Sequence, residues 1–292
     1  MRFPSSGVIP VDKPPAVTSR GVVDVVARAL ATKAVGHAGT LDPLAEGVVV
    51  VCVGHATRLV DFVHELPKHY AATFLLGRSS PSDDFETPLE EEADPRRPSR
   101  DEVEAALPAF RGAILQRPCA YSAVHVGGKR AYRLARRGRP LELAEKPVRI
   151  DRLEVTAYDW PRLAVELVCS SGTFVRALGR DLAATLGTRA VMESLVRTAV
   201  GPFARETAVP LAAISPESAR VALAPAIAAV PHMPRITLAG DLLDRAIRGA
   251  LVPCDVAAAA AAAIDEAGDL VGILRPHASG AWRLRPNFRG LG

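Results

Sequence analysis

Residues 36 to 47 read Gly36-His37-Ala38-Gly39-Thr40-Leu41-Asp42-Pro43-Leu44-Ala45-Glu46-Gly47 and run directly into the apolar stretch Val48-Val49-Val50-Val51-Cys52-Val53. This junction constrains the fold more than any other part of the chain. Pro43 disfavours the helical region for the residue before it, so Asp42 is held in an extended or turn conformation. Gly36, Gly39 and Gly47 permit turns that residues with a Cβ resist. The outcome is one carboxylate on a stiff loop at the mouth of an apolar strand. The bland reading of an isolated Asp-Pro after a glycine is a turn; the chemical reading is a positioned acid.

The rest of the chain favours a mixed α+β domain. A strand is expected near Val8 to Val11 and a helix from Ser19 to Ala31, with Thr18 or Ser19 as its N-cap. The proline-rich, acidic stretch from Pro81 to Pro98 reads as a surface loop, and Ser99-Arg100-Asp101-Glu102 opens a helix with capping-box spacing. Alternating segments at Arg149 to Ala157 and Leu163 to Cys169 predict paired strands. Strands and helices mix without regular βαβ repetition, which selects α+β over a doubly wound fold. Alanine and proline enrichment from Pro210 to Pro234 marks a domain boundary, followed by a small unit whose segments Leu270–Leu274 and Trp282–Pro286 read as strands. The tract Ala257 to Ala263 reads as a short helix or a variable insertion.

With 292 residues the chain has length for about two domains. Its 36 Lys and Arg against 32 Asp and Glu give a net charge of only +4, so distribution matters more than total. Between Lys129 and Arg139 there are six basic residues and no acid. Lys129, Arg133, Arg136 and Arg137 stand at helical spacing, with Ala131, Leu134 and Ala135 on the other side. This is either a solvated basic helix or a docking face for a polyanion. The four cysteines, Cys52, Cys119, Cys169 and Cys254, are widely separated and read as buried thiols, and no CxxC pair or HxH cluster offers metal-ligand spacing. The N-terminus lacks the pattern of a signal peptide and no apolar run approaches the roughly 20 residues that span a bilayer, so a cytoplasmic protein with no membrane association is expected.

The string GHAGTLDPLAEG with its following strand and Gly54-His55-Ala56-Thr57-Arg58 resembles the signature of the TruB family of tRNA pseudouridine synthases. Further segments resemble that family in order and spacing: Val11-Asp12-Lys13-Pro14-Pro15, Lys68-His69-Tyr70-Ala71-Ala72, Pro118-Cys119-Ala120-Tyr121-Ser122-Ala123, Cys169-Ser170-Ser171-Gly172-Thr173-Phe174-Val175-Arg176 and Ser194-Leu195-Val196-Arg197-Thr198. The similarity runs through most of residues 7 to 205. It implies a mixed-sheet catalytic domain over residues 1–228, with an RNA-binding thumb inserted at about 122–147, and a small β-rich PUA-like RNA-binding domain over 233–292.

What the resemblance implies for chemistry is compact: uridine becomes pseudouridine with no cofactor and no metal. Asp42 is implied as the catalytic carboxylate, Arg176 as the ionic partner that keeps it deprotonated, and Tyr70 as the ring that stacks on a flipped uracil and takes part in proton removal. Leu195 closes the pocket, and His37, Lys13 and Tyr121 are implied on the substrate side. Asp84 aligns with an acid that contacts the active-site arginine, although Ser79-Ser80-Pro81-Ser82-Asp83 departs from the family's threonine-containing pattern. Phe174 stands where the family often has tyrosine, and Val196 where it often has arginine; Arg197 remains as a basic residue for RNA affinity. Lys129, Arg130, Arg133, Arg136 and Arg137 become the thumb's RNA contacts. The implied substrate is the T arm of tRNA, isomerised at uridine 55 by a monomer without an obligatory protein partner, because guide-RNA-dependent relatives lack such an insertion. The competing readings are a guide-dependent synthase subunit and a non-catalytic RNA-binding or RNA-folding protein.

Overall fold

The computed structural model describes residues 6–122, 124–126, 128–137 and 143–289. Its first half contains β1 (Gly7–Lys13), α1 (Ser19–Ala29), β2 (Val35–Ala38), β3 (Glu46–Val53), α2 (Val60–Glu65), β4 (Lys68–Leu76), α3 (Arg100–Ala106) and β5 (Gly112–Gln116). After a short basic segment carrying α4 (Ala131–Ala135) come the long hairpin β6 (Lys146–Asp159) and β7 (Arg162–Cys169), then α5 (Val175–Thr185) and β8 (Ala190–Val200). The last part contributes β9 (Arg235–Thr237), α6 (Gly240–Ile247), β10 (Ala261–Ile264), β11 (Leu270–Pro276) and β12 (Trp282–Asn287).

Local chemistry explains most of these boundaries. Thr18 caps α1 by accepting from the Gly21 amide, and Ser99 and Glu102 form the reciprocal capping box expected at α3. The sheet follows the order β1-β3-β8-β4-β7-β6-β5, with β2 paired to β3 and the short strands Val209–Pro210 and Ala224–Pro225 paired to β1. Both parallel and antiparallel pairs occur: β3 and β8 run parallel at Val196↔Glu46 and Arg197↔Gly47, whereas β4 pairs antiparallel with both β7 and β8. The centre of the sheet is therefore β3, β8 and β4, the three strands that carry or adjoin the Asp42 loop, Leu195 and Tyr70.

One face of the sheet is covered by α1 and α5, and the apolar residues between them, including Ile9, Val11, Val22, Val26, Phe74, Leu178 and Leu182, form one core. Helix α5 lies very close on this face: a Cβ at Gly179 would come within 2.2 Å of the Phe74 ring. That approach seats the first turn of α5, with Arg176, directly over the middle of the sheet. On the other face Val8, Val50, Leu59, Phe62 and Val200 share a core with Ala262, Ile273 and Phe288 of the C-terminal strands. Those strands form their own sheet, β9-β10-β11-β12, with α6 packed on its far side, where its Ala246 shares a core with Leu238, Trp282 and Leu284.

Three expectations are corrected here. The alanine tract does not form a helix: Ala261, Ala262 and Ala263 are fully buried in β10, between a parallel and an antiparallel neighbour. Pairing on both sides overrides alanine's helix preference, because only small side chains fit between the two layers. The Pro81–Pro98 segment is not wholly a surface loop; Ser82 and Asp84 are buried, and Asp84 bridges to Met192 beside β8. Lys129 is not on the basic helix: Lys129–Arg130 pairs antiparallel with His125–Val126, and α4 begins only at Ala131. Cys52, Cys119 and Cys169 are buried as expected, and Cys254 is half-buried.

Candidate active site

The loop between β2 and β3 is fixed from three directions. Ser19, at the start of α1, exchanges two hydrogen bonds with Leu41: its Oγ accepts from the Leu41 amide at 2.8 Å and donates to the Leu41 carbonyl at 3.1 Å. Lys13, at the end of β1, donates to the carbonyls of Pro43, Pro14 and Val17 at 3.1, 2.9 and 2.8 Å. Arg197, on β8, donates to the Val48 carbonyl at 2.7 Å and the Gly39 carbonyl at 3.1 Å. The Ala45 amide closes a turn onto the Asp42 carbonyl at 3.1 Å. Gly47 has φ +103°, and a Cβ there would meet the Arg197 carbonyl oxygen at 2.2 Å, so only glycine lets the loop join β3 this close to β8.

From this loop Asp42 points at Arg176, with 2.9 Å between Oδ2 and Nη2. The guanidinium is only 5% exposed and its other contacts are all accounted for: Nη1 reaches the Asp84 carboxylate at 3.1 Å and the Ser82 carbonyl at 2.9 Å, and Nη2 reaches the Tyr121 carbonyl at 3.1 Å. Asp42 retains 36% of its side-chain exposure. It is therefore the open end of an otherwise enclosed Asp84–Arg176–Asp42 chain, in which Asp84 and two carbonyls set the arginine and the arginine sets Asp42. Arg176 is not an outer-face helix residue, and Asp84, itself buried, both pairs with the arginine and lines the cavity beyond Asp42.

Two strands supply the pocket walls through their period of two. Tyr70 and Ala72 share a face of β4, and in register beside them on β8 lie Arg197 and Leu195. A cavity of about 350 Å³ opens between them, lined by His37, Asp42, Tyr70, Arg176, Leu195 and Arg197 among others. A second cavity of about 620 Å³ continues past Asp42 toward Arg20, Leu44, Tyr121, Tyr132 and Arg136. The first is of the size that takes a planar base; the second opens toward the basic segment. His37 and Ser122 line both, and the His37 Nδ1 and Ser122 Oγ are buried without a hydrogen-bond partner among the described residues.

The electrostatics differ from the expectation that Arg176 simply keeps Asp42 ionised. Burial raises the Asp42 carboxyl above its ordinary range, Arg176 pulls it back, and Asp84 and Glu86 add to the rise. Burial likewise raises the Tyr70 phenol, so Tyr70 enters the site as a neutral ring and hydroxyl. That suits stacking better than proton removal by a phenolate. His37 is lowered by burial and by the nearby Arg197, which leaves it neutral near pH 7.

The remaining assigned residues fall into place unevenly. Lys13 is fully buried, and burial pushes its ammonium down to about 8 with Asp42 and Glu46 opposing; it holds the loop and does not face a substrate. Arg197, expected to serve RNA affinity, is 1% exposed and is a loop-holding residue as well. Among the described residues it has no carboxylate partner; its charge is met by backbone carbonyls, with the Tyr70 side chain beside it. The residues at 9, 11 and 13 in β1, and 195 and 197 in β8, alternate inward, and that period was the signal that both cations are internal. In the basic segment the Arg133 and Arg136 guanidinium groups lie 5.9 and 5.5 Å from the Tyr132 ring centroid, and Arg136 Nε is 3.2 Å from Glu86. Arg133 and Arg137 are exposed. The side chains of Lys129 and Arg130 lie outside the described residues.

Comparison with known proteins agrees with this geometry. A family model described as TruB family pseudouridylate synthase (N terminal domain) matches residues 27–175. The chain is 41% identical over 206 residues to a tRNA pseudouridine synthase B of Mycobacterium avium, covering 69% of this chain and 67% of that one. It is 39% identical over 242 residues to a tRNA pseudouridine synthase B of Thermus thermophilus, covering 72% and 77%. In fold it is similar to a chain of the archaeal box H/ACA sRNP Nop10-Cbf5 complex, with a TM-score of 0.73 at 24% identity over 97% of this chain and 86% of that one. A Cbf5-Nop10-Gar1 complex contains a chain that matches with a TM-score of 0.75 at 24% identity, over 97% and 85%. With its matched family model, its relatives near 40% identity and an aspartate–arginine pair at the centre of a mixed sheet, the chain belongs to the TruB family of pseudouridylate synthases.

Proposed function

We propose that this protein isomerises uridine 55 in the T loop of tRNA to pseudouridine, recognising the tRNA directly as a single polypeptide in the cytoplasm. The observation that carries the reading is the half-open Asp42 carboxylate, 2.9 Å from the enclosed Arg176, beside a base-sized cavity walled by Tyr70 and Leu195. The relatives near 40% identity carry the name tRNA pseudouridine synthase B, which supports tRNA as the substrate.

The reaction breaks the N1–C1′ bond, turns the uracil and joins C5 to the same ribose carbon, with the C5 proton lost and N1 gaining one. It oxidises nothing and adds nothing, so a fixed carboxylate and a closed pocket suffice. Stacking hides the target base within the loop, and it must leave the stack to reach Asp42. Tyr70 and Leu195 then hold the uracil between a ring and an apolar wall, so that the detached base stays in place. Asp42 stands beside the base and ribose for each chemical route: attack on C1′, attack on the base, or removal of a ribose proton. His37, neutral and lining both cavities, meets the RNA beside the extruded nucleotide.

Exposed Arg133 and Arg137, with Arg136 at the mouth of the second cavity, support a thumb that grips phosphates. Residues 1–228 act as the catalytic domain and 233–292 as a PUA-like RNA-binding domain in this reading. The test is incubation of an unmodified tRNA with the purified chain alone, without guide RNA or partner proteins, followed by pseudouridine mapping. Modification at position 55 supports the proposal. No modification until a guide RNA and partners are supplied would assign the chain to the guide-dependent type, and binding without modification would make it an RNA-binding protein.

A further inference from the structure

Four arginines line one groove away from the catalytic cavities: Arg58, two residues before α2, and Arg275, Arg283 and Arg285 on the C-terminal sheet. Among the described residues no acid lines it, and neither cavity at Asp42 shares a residue with it. All four side chains are exposed. Among the described residues none of the four has an ion pair or a hydrogen bond, whereas the nearby Arg289 is paired with Asp265.

The strand pattern makes this clustering costly. Trp282 and Leu284 of β12 point into the core, which puts Arg283 and Arg285 together on the outer face. On β11 Arg275 is the direct cross-strand partner of Arg283. Like charges directly opposite on paired strands destabilise a sheet, and among the described residues no carboxylate pairs with them. The Arg275 guanidinium is also held 5.2 Å from the ring centroid of Phe62 on α2. That contact orients the charge while leaving its N–H groups free, and it ties the arginine face of the C-terminal sheet to the larger unit. Since Ala262, Ile273 and Phe288 share a core with Leu59 and Phe62, the two sides of the groove keep a fixed spacing.

We infer that this groove is a phosphate-binding site for the tRNA backbone outside the T arm, a second foothold separate from the catalytic pocket and the basic segment. Guanidinium forks with unpaired donors match phosphate oxygens, and repulsion among them is relieved when a polyanion docks. Arginines without base-reading partners give affinity without sequence preference. The inference rests on the reading of the substrate as tRNA and names where a further part of that substrate is held.

The test compares the wild-type chain with an Arg275→Gln/Arg283→Gln/Arg285→Gln variant, using full-length unmodified tRNA and an isolated T-arm hairpin. Glutamine keeps a polar, uncharged end, and the variant's melting temperature at low salt should be equal or higher, since the opposed charges are gone. Affinity for full-length tRNA should fall at least tenfold near 0.1 M salt. The slope of log affinity against log salt should become shallower by about 2 to 3. At saturating RNA the turnover rate should be unchanged, and the hairpin should be bound and converted as by wild type. An unchanged salt slope with full-length tRNA, or equal losses with hairpin and full-length tRNA, would overturn the inference. Because the slope is read from binding, it is decided even if the wild-type chain makes no pseudouridine, an outcome that would instead overturn the proposed reaction.

Discussion

Replacing Arg176 by alanine puts the central ion-pair chain to a quantitative test. The side chain is 5% exposed and holds two carboxylates and two carbonyls, with contacts of 2.9 to 3.1 Å. Its loss leaves Asp84 buried and Asp42 partly enclosed with no cation between them. Breaking an enclosed pair by removing one partner typically costs about 3–5 kcal/mol. Expressed wholly in the chemical step, that is a fall in turnover between about 10² and a few thousandfold. Arg176 also works against the burial that raises Asp42, so its removal should move the acidic limb of the pH–rate profile to higher pH. Arg176→Lys should recover part of the activity, since one ammonium can reach one carboxylate but cannot fork between two. The assay is single-turnover conversion of unmodified tRNA at saturating protein from pH 5 to 9, with thermal unfolding to establish that each variant is folded. Wild-type turnover and an unmoved acidic limb in a folded Arg176→Ala protein would refute the reasoning.

Other perturbations separate the parts of the site. Tyr70→Leu should bind tRNA normally and hardly convert it, because the apolar side chain fills the wall without stacking on the base; full conversion in single turnover would remove Tyr70 from the mechanism. Arg197→Met should lower kcat far more than it raises KM, since it frees the Gly39 and Val48 carbonyls that hold the Asp42 loop; a selective rise in KM would instead make Arg197 a binding residue. Replacing Arg133, Arg136 and Arg137 together by alanine should weaken tRNA binding with a shallower salt dependence yet leave substantial conversion once bound, and unchanged affinity would mean that the segment is only solvated.

The site was legible where local sequence rules act alone. Asp42 between glycines and before a proline could be placed from a few residues, whereas Tyr70 and Leu195, and the roles of all three, came from the resemblance. Arg176 needed the resemblance, because helical spacing cannot distinguish an arginine over a sheet from one facing water. Arg197 and Lys13 were assigned to the RNA side from the resemblance, in line with the usual exposure of long cations. Their burial depends on carbonyls that converge only when the loop, β1, β3 and β8 are assembled. Asp84 was placed by the resemblance, since its stretch of acids and prolines suggests solvent; in the fold Asp83 and Asp84 pair with Arg180 and Arg176 of α5, and Asp84 bridges to Met192 of β8. Ala261–Ile264 shows the same limit from the other side, since its strand is imposed by β9 and β11 and not by alanine itself.

Asp42→Asn addresses the account's main claim with the least change in shape. Burial raises the folded-state Asp42 carboxyl above its unfolded value, so its ionisation works against folding, and stability is lost as pH rises through that raised value. The amide removes this penalty while Arg176 keeps Asp84 and two carbonyls, and the variant should therefore be folded at neutral pH and at least as stable as wild type there. The measurement is single-turnover conversion of unmodified tRNA by Asp42→Asn at saturating protein, alongside its tRNA affinity. The account predicts wild-type affinity and no pseudouridine; pseudouridine formed at a rate near that of wild type would contradict it.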